Sequence, residues 1–173
     1  MLTKYINQIK GKSIIDEPKK LIELINDCLK PKEEEKKKFG EVFTPLTLVE
    51  EMLDKLDDEY RKTHDNKSIF SIKKFKWFDP ANGMGNFPVI IYLRLMEGLK
   101  GKIKNESKRK RHILENMLYM SEINKKNVVV CKQIFDIKNK YKLNIYCGNS
   151  LELDTLKEWN IKKIRCYYWK SSI

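Results

Sequence analysis

The sequence predicts an α/β fold built on a parallel, doubly wound sheet. Three observations predict it. Short β-like runs alternate with amphipathic stretches between Phe75 and Trp159. A glycine-bearing loop, Asp79-Pro80-Ala81-Asn82-Gly83-Met84-Gly85-Asn86-Phe87, falls between a predicted strand and a predicted helix. Open α/β sheets bind nucleotide-like ligands at such a loop. Finally, 173 residues that are 41% hydrophobic suffice for one sizeable core and not for two.

The elements follow in order. Glu17 to Lys30 has helical periodicity, with Leu21, Ile22, Leu24, Ile25 and Leu29 largely on one face, and Pro31 ends it. Residues 32–38 are a charge block, most simply a solvated helix or linker. Phe39 to Pro45 breaks that pattern with aromatics and turn formers. Thr44 before Pro45 predicts a helix start, a capping hydroxyl followed by proline in the first turn. That helix runs to about Leu56 and turns Leu46, Leu48, Val49, Met52 and Leu53 inward. Asp57 to Ser71 is polar and predicted as a loop. Phe75 to Phe78 is a first strand, Asn86 to Leu99 a buried helix, and Lys100 to Arg111 a basic surface excursion. Met117 to Met120 is a second strand. Lys125 to Ile137 is an amphipathic helix using Val128, Val129, Val130, Ile134 and Phe135. Leu143 to Cys147 is a third strand, and Leu151 to Trp159 a further helix. There is no internal repeat. Residues 1–37 form a basic helical lead-in, and residues 38–173 the main domain.

Composition narrows the function classes. No apolar run approaches the roughly 20 residues that span a bilayer, and Met1 to Tyr5 opens no secretory signal. The expectation is a soluble cytoplasmic protein with no membrane partner. Cys28, Cys131, Cys147 and Cys166 have no metal-binding spacing, and His64 and His112 are far apart, so no metal is expected. Reduced, mostly buried thiols are the simpler reading. The net charge is +12, from 36 Lys and Arg against 24 Asp and Glu. Such a balance attracts nucleic acid. Yet the Lys, Asn and Ile content is also what AT-rich codons supply, so charge alone decides nothing.

The glycine loop is where the chemistry concentrates. Gly83 and Gly85 let the backbone turn tightly and a ligand approach it. Asp79 ends its strand, where its carboxylate can face a cation. A dinucleotide fingerprint would need a third glycine where Pro88 stands, and an acid about 20 residues on. The acid that ends the next strand is Glu122, considerably later. A phosphate-binding P-loop fails as well, because no Lys-Ser/Thr pair follows the glycines.

The segment resembles the first cofactor motif of amino-methylating DNA methyltransferases, Asp-Pro-Ala-Cys-Gly-Ser-Gly-Asn-Phe, departing from it at Asn82 and Met84. Phe39 to Pro45 is similar to the family's N-terminal motif, Gly-x-x-Phe/Tyr-Thr-Pro. Glu122 and Ile123 match the acid and its neighbour after the second strand. Asn149, after Gly148, matches a polar residue that reads the cofactor's adenine. The likeness covers about Lys38 to Leu153 and is nearest to the type I and Eco57I-like N6-adenine methyltransferases. It implies an incomplete Rossmann-like methyltransferase fold and S-adenosylmethionine as cofactor. It also implies DNA as partner in restriction–modification, with specificity or nuclease regions elsewhere. The cofactor-binding residues it implies are Phe43, Thr44, Pro45, Asp79, Ala81, Asn82, Gly83, Gly85, Asn86, Phe87, Glu122, Ile123 and Asn149.

The family's catalytic Asn-Pro-Pro-Tyr/Phe motif is absent from the sequence. It holds the poorly nucleophilic adenine amine through hydrogen-bond acceptors and stacks on the flipped base. The expectation is a truncated or frameshifted chain without activity of its own. Ile164 to Ile173 admits codons whose neighbouring frame reads Phe-Asp-Val-Ile-Ile-Gly-Asn-Pro-Pro, and the gene's nucleotides decide that expectation. Alternatives are a methyltransferase acting on RNA or on a protein glutamine, and a non-enzymatic basic module that binds nucleic acid. A nicotinamide-dependent dehydrogenase is disfavoured by Pro88 and by the late acid.

Overall fold

The computed structural model describes residues 14–17 and 44–161. Residues 1–13, 18–43 and 162–173 lie outside the described residues, and with them fall the Glu17 to Lys30 helix, Phe43 and the Ile164 to Ile173 segment.

Three strands form one parallel sheet in the order β1-β2-β3, namely β1 (Trp77–Asp79), β2 (Leu118–Glu122) and β3 (Asn144–Cys147). Trp77 pairs with Leu118 and Asp79 with Met120; Tyr119 pairs with Asn144 and Glu122 with Cys147. The α-helices among the described residues are α1 (Leu46–Thr63), α2 (Asn86–Gly98), α3 (Glu106–Asn116), α4 (Lys125–Asp136) and α5 (Thr155–Trp159). The α/β reading therefore holds. Both crossovers step the same way along the sheet, and right-handed connections then place α2 and α4 on one face. A doubly wound sheet needs a strand on the far side of β1, and among the described residues β1 pairs with β2 alone.

Strand periodicity of two sorts the residues. Trp77, Leu118, Met120 and Ile145 share a face by register and join the core, with Val89, Ile90, Leu95, Ile134 and Phe135 from the helices. β2 is buried along its whole length, as befits the central strand. On the opposite face Phe78 and Tyr119 meet Trp159 of α5 edge to face, with ring centroids at 5.6 and 5.2 Å.

Several boundaries differ from expectation. α1 continues seven residues past Leu56, because Asp57–Arg61 and Glu59–Lys62 ion pairs one turn apart support the polar continuation. Within the expected loop, Ile69 and Phe70 are buried, and the Ile69 N–H donates to the Asp57 carboxylate at 2.7 Å. The basic excursion contains α3, whose start is capped by Asn105 accepting from Lys108 N–H. The final helix is split into a 3-10 turn at Ser150–Glu152 and the short α5. Leu48 and Val129, expected inward, are 45% and 53% exposed, each on the solvent side of its amphipathic helix. Of the two described cysteines, Cys131 is buried and Cys147 is exposed at the end of β3. No described helix is long and apolar enough to cross a membrane.

Candidate functional site

The site gathers at the carboxyl ends of β1 and β2. Past Asp79 the chain stays beside β2 for one more hydrogen bond, from Asn82 N–H to the Ser121 carbonyl at 3.1 Å. It then turns through two left-handed glycines, Gly83 with φ 53° and Gly85 with φ 103°. Gly85 is the residue that caps α2. A side chain is disfavoured there on two grounds. The backbone occupies a region that residues bearing a Cβ rarely adopt, and a Cβ would stand 3.1 Å from the Cys131 sulfur.

Glu122 ties the loop down. One carboxylate oxygen accepts from Gly83 N–H at 2.8 Å and the other from Asn124 N–H at 2.7 Å. These charge-assisted bonds fix the turn after β1 to the turn after β2. Both of its carboxylate oxygens are thus engaged by backbone N–H groups of the two turns.

Asn82 departs from the family motif, and the structure shows what it does. Its amide donates to the Gly83 carbonyl and to the buried Cys131 sulfur, both at 2.9 Å. Cys131 on α4 is the floor under the loop. Sequence reading placed it among buried thiols and missed this role. The signal available was a glycine at 85 that demanded a close neighbour, but nothing local named the partner 46 positions away.

Thr44 is tied to the same loop. Asn86 donates its amide to the Thr44 carbonyl at 3.0 Å, linking residues 42 positions apart. Thr44 itself is not the helix cap. Pro45 occupies that position without a side-chain cap bond, and its carbonyl accepts from Val49 N–H at 3.0 Å. Thr44 is thereby left to the site.

Two carboxylates converge here. Asp79 accepts from Ala81 N–H at 3.1 Å. Loss of water around Asp79 pushes its carboxyl up to about 6, the Ala81 bond pulls it down, and the charge of Glu122 raises it further. Burial, with the charges of Asp79 and Glu122, likewise pushes the Cys131 thiol up, so it stays protonated. Three buried polar atoms around the loop, Asn82 Oδ1, Asn86 Oδ1 and Ser121 Oγ, have no hydrogen-bond partner among the described residues. Buried polar atoms are nearly always paired, so the three make the packing around this loop unusual.

The remaining expected residues sit as follows. Ala81 is exposed on the loop and Phe87 half-buried at the start of α2. Ile123 is 59% exposed beside the buried Glu122, an apolar surface at the edge of the site. Asn149 follows β3, and its side chain is engaged locally, accepting from Leu151 N–H at 3.1 Å and donating to Glu152 at 3.2 Å. The structure thus brings Thr44, Asp79 to Phe87 and Glu122 together by direct bonds and leaves Asn149 on its own turn. No three His, Cys, Asp or Glu side chains form a metal-binding group among the described residues.

A glycine turn leaving a parallel strand lies where open α/β sheets commonly bind ligands, and here two acids flank it. Comparison with known proteins gives that arrangement a family likeness. An uncharacterized adenine-specific methylase of Mycoplasma pneumoniae is 38% identical over 79 residues, covering 46% of this chain and 17% of that protein. The resemblance to adenine-specific methylases read from the motifs is thus matched by sequence identity. Among solved structures, the ATP-dependent Type ISP restriction-modification enzyme LlaBIII bound to DNA superposes with a TM-score of 0.50 at 24% identity. That match covers 78% of this chain and 9% of the solved one, and it shows likeness of fold. No family model matches the chain. The chain therefore spans under a fifth of the length of either protein.

Proposed function

We propose that this chain is the donor-binding part of an S-adenosylmethionine-dependent enzyme that methylates the N6 amine of adenine in DNA, in a restriction–modification setting. The observation that carries the proposal is the bonded assembly of three distant segments, Thr44 through Asn86 and Gly83 through Glu122, around unpartnered buried polar atoms.

The residues suit this donor. When bound, S-adenosylmethionine supplies an electrophilic methyl group on a sulfonium. Its other groups are an ammonium, a carboxylate, a ribose and an adenine, with no phosphate. Asp79 suits the cationic end, and the positive end of α2 suits the carboxylate. The Glu122 carboxylate is the kind of acceptor that ribose hydroxyls donate to, and exposed Ile123 offers an apolar face to the adenine. Asn82 and Cys131 hold the loop from beneath, so the donor meets a fixed backbone.

The Asn-Pro-Pro-aromatic group that would position the adenine amine is absent from the sequence. Residues 38–173 act as the donor-binding domain. A DNA substrate would place it in the cytoplasm. The test is calorimetric titration of the folded chain with S-adenosylmethionine, expected to give saturable binding that Asp79→Asn weakens at least tenfold. A folded sample that produces no heat with the donor overturns the reading. Labelled methyl transferred to adenine in DNA by this chain alone would overturn the assignment of the base pocket to other sequence.

A further inference from the structure

The loops at the opposite end of the sheet carry almost all of the chain's net charge. Parallel pairing puts the connections entering β1, β2 and β3 at one end, comprising residues 72–76, 99–117 and 137–143. These segments hold 13 Lys and Arg against two acids, Glu106 and Glu115. The chain has 36 and 24, so everything else carries 23 Lys and Arg against 22 acids, close to neutral. Codon bias would spread lysine along the whole chain. The observed separation puts the excess where three connections meet.

The three connections touch. His112 bonds the Lys73 carbonyl through its ring nitrogen at 3.0 Å, and Lys102 donates to the Ser71 carbonyl at 2.8 Å. The Arg111 guanidinium lies 5.2 Å from the centre of the Tyr141 ring. Part of the basic set is structural. Arg109 is buried and donates to the Ile103 and Lys104 carbonyls; Lys110 pairs with Asp16, and Arg111 with Glu115. These contacts hold the surface together. Lys73 and Lys74 before β1, Lys104 and Lys108 before β2, and Lys138 and Lys140 before β3 are exposed and make no ion pair among the described residues.

We infer that this end of the molecule is a second nucleic-acid surface, which grips the phosphate backbone of duplex DNA far from the glycine loop. The choice of DNA rests on the function proposed above, but the charge separation does not. Strands about 4.8 Å apart and an α3 of 11 residues give a face on the order of 15 Å across. Duplex DNA presents a charge for about every 1.7 Å of its axis, so several phosphates fall within such a face. An anionic membrane is the other polyanion of this size. Membrane-surface elements combine basic residues with an inserted apolar face, and among the described residues the large exposed apolar side chains are Leu48, Ile123, Val129, Leu151 and Leu156, none in these loops. The contact is to backbone and carries no base preference of its own.

The test uses the full chain and a fluorescent duplex of about 20 base pairs, with binding followed by anisotropy from about 50 to 200 mM salt. The variant carries Lys74→Gln, Lys104→Gln, Lys108→Gln and Lys140→Gln. A control of equal charge carries Lys55→Gln, Lys62→Gln, Lys67→Gln and Lys157→Gln, all exposed and outside the basic connections. We expect the variant to bind DNA about 100-fold more weakly at low salt, with a log–log salt slope shallower by up to about 3.6. The control should lose less than about threefold, and both should titrate with S-adenosylmethionine like the parent. Equal losses in variant and control overturn the inference, as does a parent chain that ignores the duplex. Anionic phospholipid vesicles bound as tightly as the duplex would also overturn it. Because donor titration is read separately, failure here is distinguishable from failure of the donor site.

Discussion

The two ends of the sheet are built on opposite terms. At the carboxyl ends of the strands, the polar groups are few, buried and bonded across long stretches of sequence. Asp79 and Glu122 face one another across a backbone turn, and Asn82 reaches down to Cys131. At the amino ends, the charges are many, mostly exposed and predominantly positive. Burying a charged or polar group costs several kcal/mol unless it is matched, whereas a solvated lysine costs almost nothing. The first end therefore sacrifices stability for a shaped site, and the second acquires a field without a structural penalty. This difference teaches how to separate the ends experimentally. Changes at the first should alter both stability and donor binding, and changes at the second should leave both nearly unchanged.

Asp79 gives the largest expected effect. Its carboxyl stands at about 6 in the folded chain against an ordinary 3.8. Between those values the folded state holds the proton that the unfolded state releases, so stability falls as pH rises through that window and levels off above it. The ionised group thus costs about 3 kcal/mol near neutral pH. Asp79→Asn should stabilise the fold by up to that amount above pH about 7, with the gain vanishing below pH about 4. Urea unfolding across pH measures it. Donor binding should move the other way, being weak in the variant and, in the parent, lost as pH falls through about 6. If parent and variant unfold alike at every pH, Asp79 is an ordinary solvated acid and the contrast between the ends breaks at its strongest point.

Glu122 should act with the opposite sign. Its side chain holds two backbone N–H groups, so Glu122→Ala removes two charge-assisted bonds and should cost about 2–3 kcal/mol. Glu122→Gln keeps one acceptor oxygen and should cost about half as much. It should also let the Asp79 carboxyl titrate lower, since the Glu122 charge helps to raise it. Chemical-shift titration of Asp79 in the Gln variant reads this directly, and an unmoved midpoint would uncouple the two acids.

What could be read from the sequence follows the range of the interactions. Strand, turn and helix around Asp79 to Phe87 are set by neighbours a few residues away, and the glycine turn lies where reading placed it, with both glycines left-handed. Glu122 and Thr44 are singled out by resemblance instead, and both are bonded to the loop. Local reading failed where partners are distant or where polar sequence hid regular structure. The Asp57 to Thr63 stretch looks like a loop by composition, yet its charges sit at helical spacing and pair along α1. α3 was hidden in the same way by its lysines and arginines, while its buried Ile113 and Leu114 anchor it to the core. Cys131 could not be assigned to the loop, because its contact with Asn82 spans 49 positions. Thr44 reads as a cap from the residue before proline, but the segment's bond to Asn86 draws it toward the site instead.

The smallest expected effect is the most discriminating one for the comparison. Replacing Lys74, Lys104, Lys108 and Lys140 by glutamine removes four like charges from side chains that pack against little. Surface changes of this kind usually stay within about 0.5 kcal/mol. Any residual effect should be a slight gain at low ionic strength, because mutual repulsion among the basic connections is relieved, and salt at about 0.15 M should erase it. Thermal melting at two salt concentrations measures both parts. A substantial loss of stability would mean that these lysines are structural, as Arg109 and Lys110 are, and that the amino end of the sheet is not free to hold a partner.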